Sequence, residues 1–175
     1  MYLIVYRLWP ANVYTLPRMA HDEQSDEQFM SVALEQARIA ESHGEVPVGA
    51  VVIHKGEIIS RAHNRNLLDT DPSGHAEMVA MREAALVVKN HRLGGCELFV
   101  TMEPCAMRAG ANVHARISRL VYGASDPKAG AVTSVLQVVN HPKLNHQTEV
   151  KAGVLAEECG GIVQEFFRKK RAAKK

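Results

Sequence analysis

Two short motifs hold the side chains best able to do chemistry: His75-Ala76-Glu77, and Pro104-Cys105 followed by Ala106-Met107-Arg108. Singly, each is weak. A histidine two residues from a glutamate arises often by chance, and a lone cysteine is usually a small buried hydrophobe. Together they say more, because each stands at the start of a predicted helix that follows a loop. The positive end of a helix dipole lowers a thiol's pKa, which favours Cys105 as the thiolate that binds metal. Two helix starts aimed at one spot can hold a histidine nitrogen and cysteine sulfurs in a tetrahedral zinc shell, with one position left for water. A zinc ion would bring that water's pKa down to roughly 7. Glu77, beside the site and not a ligand, could then take and return protons.

The elements that must position these residues read as an alternation of strands and helices. Ser25 is an N-cap candidate with Gln28 three residues on, and Phe29, Val32, Ala33, Ala37 and Ala40 keep helical spacing up to a stop at Gly44. Residues 48–54 and 57–61 are β-branched runs joined by Lys55-Gly56, a hairpin signal. An Asn-, Asp-, Pro- and Gly-rich loop follows over 64–74. The spacing predicts a helix over 76–89, a strand over 97–101, and a helix with Pro104 in its first turn running to about 115. A strand over 119–123, a run over 132–139 that fits helix or strand, a weak strand over 150–154 and a closing helix over 155–167 complete the chain. Such alternation indicates a three-layer α/β domain.

At 175 residues the chain suits one domain with a real core. No apolar run nears the ~20 residues of a membrane helix. The best candidate, Tyr2 to Val5, is broken by Arg7 and Pro10 and lacks the marks of a secretory signal. Cys96, Cys105 and Cys159 are few, odd in number and widely spaced, which argues for a reducing cytoplasm. Cys96 and Cys159 read as core. The net charge of +2 conceals a basic end: 168–175 supplies six of the 21 basic residues, leaving fifteen against nineteen acidic ones. Such a block is either a solvated, disordered tail or a contact for nucleic-acid phosphates. The first eighteen residues are apolar and aromatic with no continuing period, so residues 1–24 read as a poorly ordered extension, with Met19 as a candidate true start. The folded domain is expected over 25–171, with 172–175 as the basic tail.

From Phe29 to Arg171 the chain resembles the bacterial tRNA adenosine deaminases, within the cytidine deaminase superfamily. The likeness runs through Glu45-Val46-Pro47-Val48-Gly49-Ala50, His63-Asn64-Arg65, His75-Ala76-Glu77, Thr101-Met102-Glu103-Pro104-Cys105 and Gly123-Ala124-Ser125-Asp126. It continues through Asn140-His141-Pro142, Asn145-His146 and Phe166-Phe167-Arg168. The resemblance implies a three-layer α/β/α fold with a mixed sheet of about five strands, one Zn2+ per subunit, a homodimer, and hydrolysis of adenosine to inosine at the wobble position of a tRNA anticodon. It implies His75 and Cys105 as zinc ligands and Glu77 as the proton carrier. Asn64 would hydrogen-bond the flipped base and Val46 and Pro47 would wall the pocket. The backbone N–H of Glu103 or a neighbour would orient the zinc-bound water. Lys128, Arg168, Lys169 and Arg171 would meet the tRNA anticodon stem-loop. Plainer readings stand beside these: Asn64 as a turn former, and His141, Asn145 and His146 as a surface loop.

Two positions depart from that pattern. The family's second cysteine lies three residues after the first, where this chain has Arg108, and Asn112 replaces an apolar residue usual on that helix. A guanidinium stays protonated and offers no acceptor. A +1 and a +2 charge ~4 Å apart at an effective dielectric of ~20 repel by roughly 8 kcal/mol. No substitute ligand is evident. Cys96 belongs at the far end of its strand, His114 lies ~13 Å along the helix at 1.5 Å per residue, and alternation turns His63 away. Arg108 either swings out, leaving two ligands, or fills the metal position and pairs with Glu77 and Cys105. The expectation is weak zinc binding and low activity; the competing class is a non-catalytic tRNA-binding homologue or dimer partner, and a free base or nucleoside deaminase is a weaker alternative.

Overall fold

The computed structural model describes residues 23–173; the expectations about residues 1–22, Met19 among them, and about Lys174 and Lys175 lie outside them. The element order is α1 (Glu23–Ser42), β1 (Gly49–His54), β2 (Glu57–His63), α2 (Ala76–Val88), β3 (Cys96–Met102), α3 (Ala106–Ala115), β4 (Arg119–Ala124), β5 (Glu149–Ala152) and α4 (Ala156–Ala172). The five strands form one mixed sheet in the order β2-β1-β3-β4-β5. β1 runs antiparallel to β2 and β3, and β3, β4 and β5 are mutually parallel. Helices α2 and α3 pack on one face, in a cluster with Ala80, Leu98, Leu120 and Tyr122. Helix α1 covers the other with Met30 and Leu34 against Val51, Phe99 and Val121, and α4 joins it through Cys159. The expected α/β/α layering is therefore present.

Local chemistry explains the joints. Lys55 and Gly56 both take positive φ, 54° and 81°, the conformation of a tight two-residue hairpin. A Cβ on Gly49 would run into the Ala33 carbonyl and the Ala37 amide, so glycine there lets α1 lie directly on the start of β1. The Asp26 carboxylate of α1 meets Arg119 of β4 at 2.7 Å and Lys151 of β5 at 2.8 Å. Burial pushes the Asp26 pKa up, but these two cations more than offset it and hold it below the ordinary value. Ser25 lies inside α1, which takes in Glu23–Ser42, so it is not the N-cap that the spacing suggests.

Three other expectations need correction. The run 132–139 is neither helix nor strand but a chain of turns, because its amides serve a buried carboxylate described below. Pro104 is not in the first turn of α3: the helix begins at Ala106 with Cys105 as its N-cap. The closing helix continues to Ala172, so the described part of the basic segment is helical. Arg168 pairs with Glu165 one turn back at 2.6 Å, and Lys170 lies 4.6 Å over the Phe166 ring. Among the described residues, no helix is long and apolar enough to cross a membrane.

Candidate active site

The helix starts of α2 and α3 converge as their sequence positions require. His75 is the N-cap of α2 in extended conformation, with no side-chain cap bond, so its ring is free to serve the site. Glu77 follows in the first turn and is fully buried. Cys105 holds the corresponding place at the start of α3, and Arg108 stands one turn further on.

Arg108 turns inward. Its Nη1 donates to Glu77 Oε1 at 2.8 Å, its Nε to Cys105 Sγ at 3.2 Å, and its Nη2 to the Glu103 carbonyl at 3.4 Å. Only 5% of the residue is exposed. Burial disfavours the charged guanidinium, but Glu77 and Cys105 more than offset this and raise its pKa. The Cys105 thiol is drawn down to about 6, first by the His75 imidazole beside it, against burial, and then by Arg108. By contrast, burial pushes Cys96 up to about 11 and Cys159 to about 12, as suits two core thiols. His75 Nδ1 and Glu77 Oε2 are buried and have no hydrogen-bond partner among the described residues.

This donor set does not fit zinc. His75 and Cys105 supply one nitrogen and one sulfur, and the third position carries a guanidinium without a lone pair to give. Among the described residues no group of three or more His, Cys, Asp or Glu side chains is placed to hold a metal ion. Cys96 is buried at the opposite end of β3 and His114 is exposed; His63 bonds its own strand end through the Asn64 carbonyl at 2.8 Å.

Around this cluster, Asn64 braces two walls. Its Oδ1 accepts from the Ala76 amide at 2.9 Å and its Nδ2 donates to the Val46 carbonyl at 3.0 Å, which fixes the start of α2 against the segment that leads into β1. Each end of the amide has one further bonding direction. Val46, Asn64, His75 and Arg108 line a groove of about 1130 Å³ that extends to Lys128, Arg168 and Arg171. Pro47 is buried beside Val46 and does not line it. Lys169 does not line it either: its Nζ turns to Glu41 of α1 at 3.1 Å. The Glu103 amide is spent on the Ala124 carbonyl at 2.8 Å, so it is the Glu103 carbonyl, not its N–H, that meets the site.

Two glutamates gave no clear sign of their roles in the sequence. Glu103 is fully buried, and its carboxylate accepts from the amides of Asp126, Val132, Thr133 and Ser134 at 2.8–3.1 Å and from the Ser134 hydroxyl. Burial alone would raise its pKa; Ser134 and these amides instead hold it near 2. Gly130 makes the wrap possible, since a Cβ there would strike the carboxylate. Glu45 does the same for the other loop, accepting from the Leu67 and Leu68 amides at 2.7 and 2.9 Å. A carboxylate followed at a distance by a Gly-containing irregular run was the only signal, and it is a weak one. The segment with His141, Asn145 and His146 is a surface loop: Arg116 donates to the Asn145 carbonyl and His146 bonds the Ile117 carbonyl.

Known proteins share this architecture and sequence. A family model for MafB19-like deaminases matches residues 24–171. A tRNA-specific adenosine deaminase of Bacillus subtilis is 46% identical over 150 residues, which cover 86% of this chain and 93% of that one. One of Haemophilus influenzae is 48% identical over 151 residues, covering 86% and 87%. A solved structure from studies of A-to-I editing by tRNA:A34 deaminases at the wobble position of transfer RNA matches with a TM-score of 0.75 at 42% identity, covering 77% of this chain and 98% of that one.

Proposed function

Because the chain belongs to the tRNA-specific adenosine deaminases, within the MafB19-like deaminase family, we propose that it binds a tRNA anticodon stem-loop and receives the wobble adenosine in the groove lined by His75 and Arg108, in front of the buried Glu77, but converts it to inosine far more slowly than its relatives. The observation that carries this reading is the buried 2.8 Å ion pair between Arg108 and Glu77. It takes one oxygen of the carboxylate placed to carry protons, and it sets a cation where the family would place zinc.

The groove's lining residues would supply the binding. Lys128, Arg168 and Arg171 would neutralise backbone phosphates along the groove. Asn64 would use the free directions of its amide on the flipped base, with Val46 against its face. The overall reaction exchanges the C6 amine of adenosine for the oxygen of water and releases ammonia. Glu77 must shuttle protons in that exchange, and each transfer competes with a charge-assisted hydrogen bond from Arg108. We place the protein in the cytoplasm as a homodimer.

Zinc content of the purified chain, measured together with stem-loop binding and inosine formation, tests this. We expect clearly substoichiometric zinc, measurable binding and little inosine. One zinc per chain with fast turnover would overturn the slow-conversion reading. Free adenosine deaminated as readily as the stem-loop would move the substrate class to nucleosides. Binding without any detectable inosine at long times would favour the non-catalytic tRNA-binding homologue.

A further inference from the structure

We propose that Arg108 is a built-in structural replacement for the metal: its guanidinium ties α2, α3 and the end of β3 together, so the fold is complete without zinc and gains no stability from it. The inference rests on reading the site as a deaminase pocket, and not on whether the chain binds tRNA.

The geometry is that of a staple with three feet on three elements. Nη1 reaches Glu77 in the first turn of α2, Nε reaches Cys105 at the cap of α3, and Nη2 reaches the Glu103 carbonyl just past β3. A structural metal joins the same kinds of place, since its ligands come from separate elements and its binding energy becomes folding energy. Here the joining group is covalently part of α3, so no binding equilibrium is involved. The ion pair is also dry, while Cys105 is only part-buried. Arg108 and Glu77 side chains are 6% and 0% exposed, so neither charge can be left to water if the other is removed. Removing one partner of a buried pair is strongly destabilising, whereas replacing both with neutral groups of similar shape is often tolerated. Electrostatics oppose an incoming divalent cation at a place already holding a guanidinium. A ligand with no affinity for the native state shifts no unfolding midpoint.

Thermal unfolding of the full chain tests the proposal, using excess EDTA in one arm and equimolar zinc in the other. The unaltered chain should melt at one midpoint, within about 1 °C, in both arms. Arg108→Met should melt roughly 5–15 °C lower in both, because Glu77 is then buried alone. The double variant Arg108→Met/Glu77→Gln should regain at least half of that loss, and it remains readable if the single variant does not fold. Arg108→Cys should become metal-sensitive, low in EDTA and raised by several degrees in zinc. A midpoint of the unaltered chain that rises several degrees with zinc would overturn the proposal. So would Arg108→Met melting at the unaltered midpoint, or a double variant no more stable than the single one. Failure of stem-loop binding with this melting pattern intact would remove the functional reading alone.

Discussion

The guanidinium of Arg108 lies 2.8 Å from Glu77 Oε1 across the gap between the first turns of two helices, and both side chains are out of solvent. The pair joins the His75-Ala76-Glu77 motif at the start of α2 to a residue in the first turn of α3. Glu77 and His75 lie at the start of α2, and both departing residues, Arg108 and Asn112, lie on α3. Both helix starts are carried on one face of the sheet, where α2 and α3 share a core with Leu98 and Leu120.

Arg108→Cys puts a second sulfur one helical turn after Cys105, on the face that now holds the guanidinium, and frees Glu77 Oε1. The expected outcome is about one zinc per chain and a rise in inosine formation on the anticodon stem-loop of at least about 10²-fold, since removing even a group that only hydrogen-bonds a metal ligand costs 10–100-fold. Metal analysis and a single-turnover inosine assay measure both. Zinc uptake without any gain in rate would locate a second lesion, with Asn112 the first place to look: it is buried on α3 and its Oδ1 has no partner among the described residues.

Cys105 should be the one reactive thiol near neutral pH. Its pKa of about 6 means that alkylation by iodoacetamide rises with pH to a plateau above about 7, while Cys96 and Cys159, at about 11 and 12 and buried, stay unmodified in the folded chain. The same shift links stability to pH. The folded thiol binds its proton more weakly than the unfolded one, whose value is 9.0, so stability increases as pH rises from about 6 to about 9 and is lost as pH falls through 6. Mass spectrometry of the labelled sites gives the profile; uniform labelling of all three thiols, or none at Cys105 at pH 7.5, would contradict it.

How far the sequence foretold this depends on the range of each interaction. Strands and helices were legible because their periods are local, and Lys55-Gly56 and Gly44 marked their ends for conformational reasons specific to those residues. His75, Glu77 and Cys105 were legible because short-range motifs place them on helix starts. What failed was long-range. The irregular run after Gly130 has no period because its amides answer to Glu103, some thirty residues earlier, and no window of sequence contains both. Lys169 was grouped with Arg168 and Arg171 by the resemblance, yet helical rotation turns it to Glu41 of α1. The two orientations open to Arg108 differ only in whether buried anions are within reach, which is a property of the assembled pocket.

Glu103 should act on binding from behind the groove. Its carboxylate holds four amides of the 126–134 loop, which presents Lys128 to the groove. Hydrogen bonds to a charged acceptor contribute about 1.5–3 kcal/mol each, but amides released here can partly turn to water, so Glu103→Ala should lose on the order of 3–5 kcal/mol of stability. Stem-loop affinity should fall as well. The pKa near 2 against an ordinary 4.5 sets the sign with pH: the contribution is full above about 4.5 and is lost as pH falls through 2. Urea unfolding of Glu103→Ala and of the unaltered chain at pH 7 measures the difference, and equal midpoints would show that the loop holds itself.

Lys128, Arg168 and Arg171 share the groove but differ in how free their charge is, and that difference should be measurable. Arg168 is held by Glu165 through two bonds of 2.6 and 2.7 Å, so its charge is partly neutralised before any ligand arrives. Lys169 is turned away to Glu41. Removing a cation that pairs with a phosphate weakens binding uniformly across sequences and lowers the salt slope by about 0.7–0.9 for each phosphate left without its cation. Lys128→Ala and Arg171→Ala should each show that change in stem-loop titrations between about 50 and 200 mM salt. Arg168→Ala should show less, because Glu165 already offsets part of the charge that is removed. Lys169→Ala should leave the slope unchanged. A slope that falls equally for all four would mean that the helix end acts as a diffuse positive patch and that the groove does not select which side chains meet the phosphates.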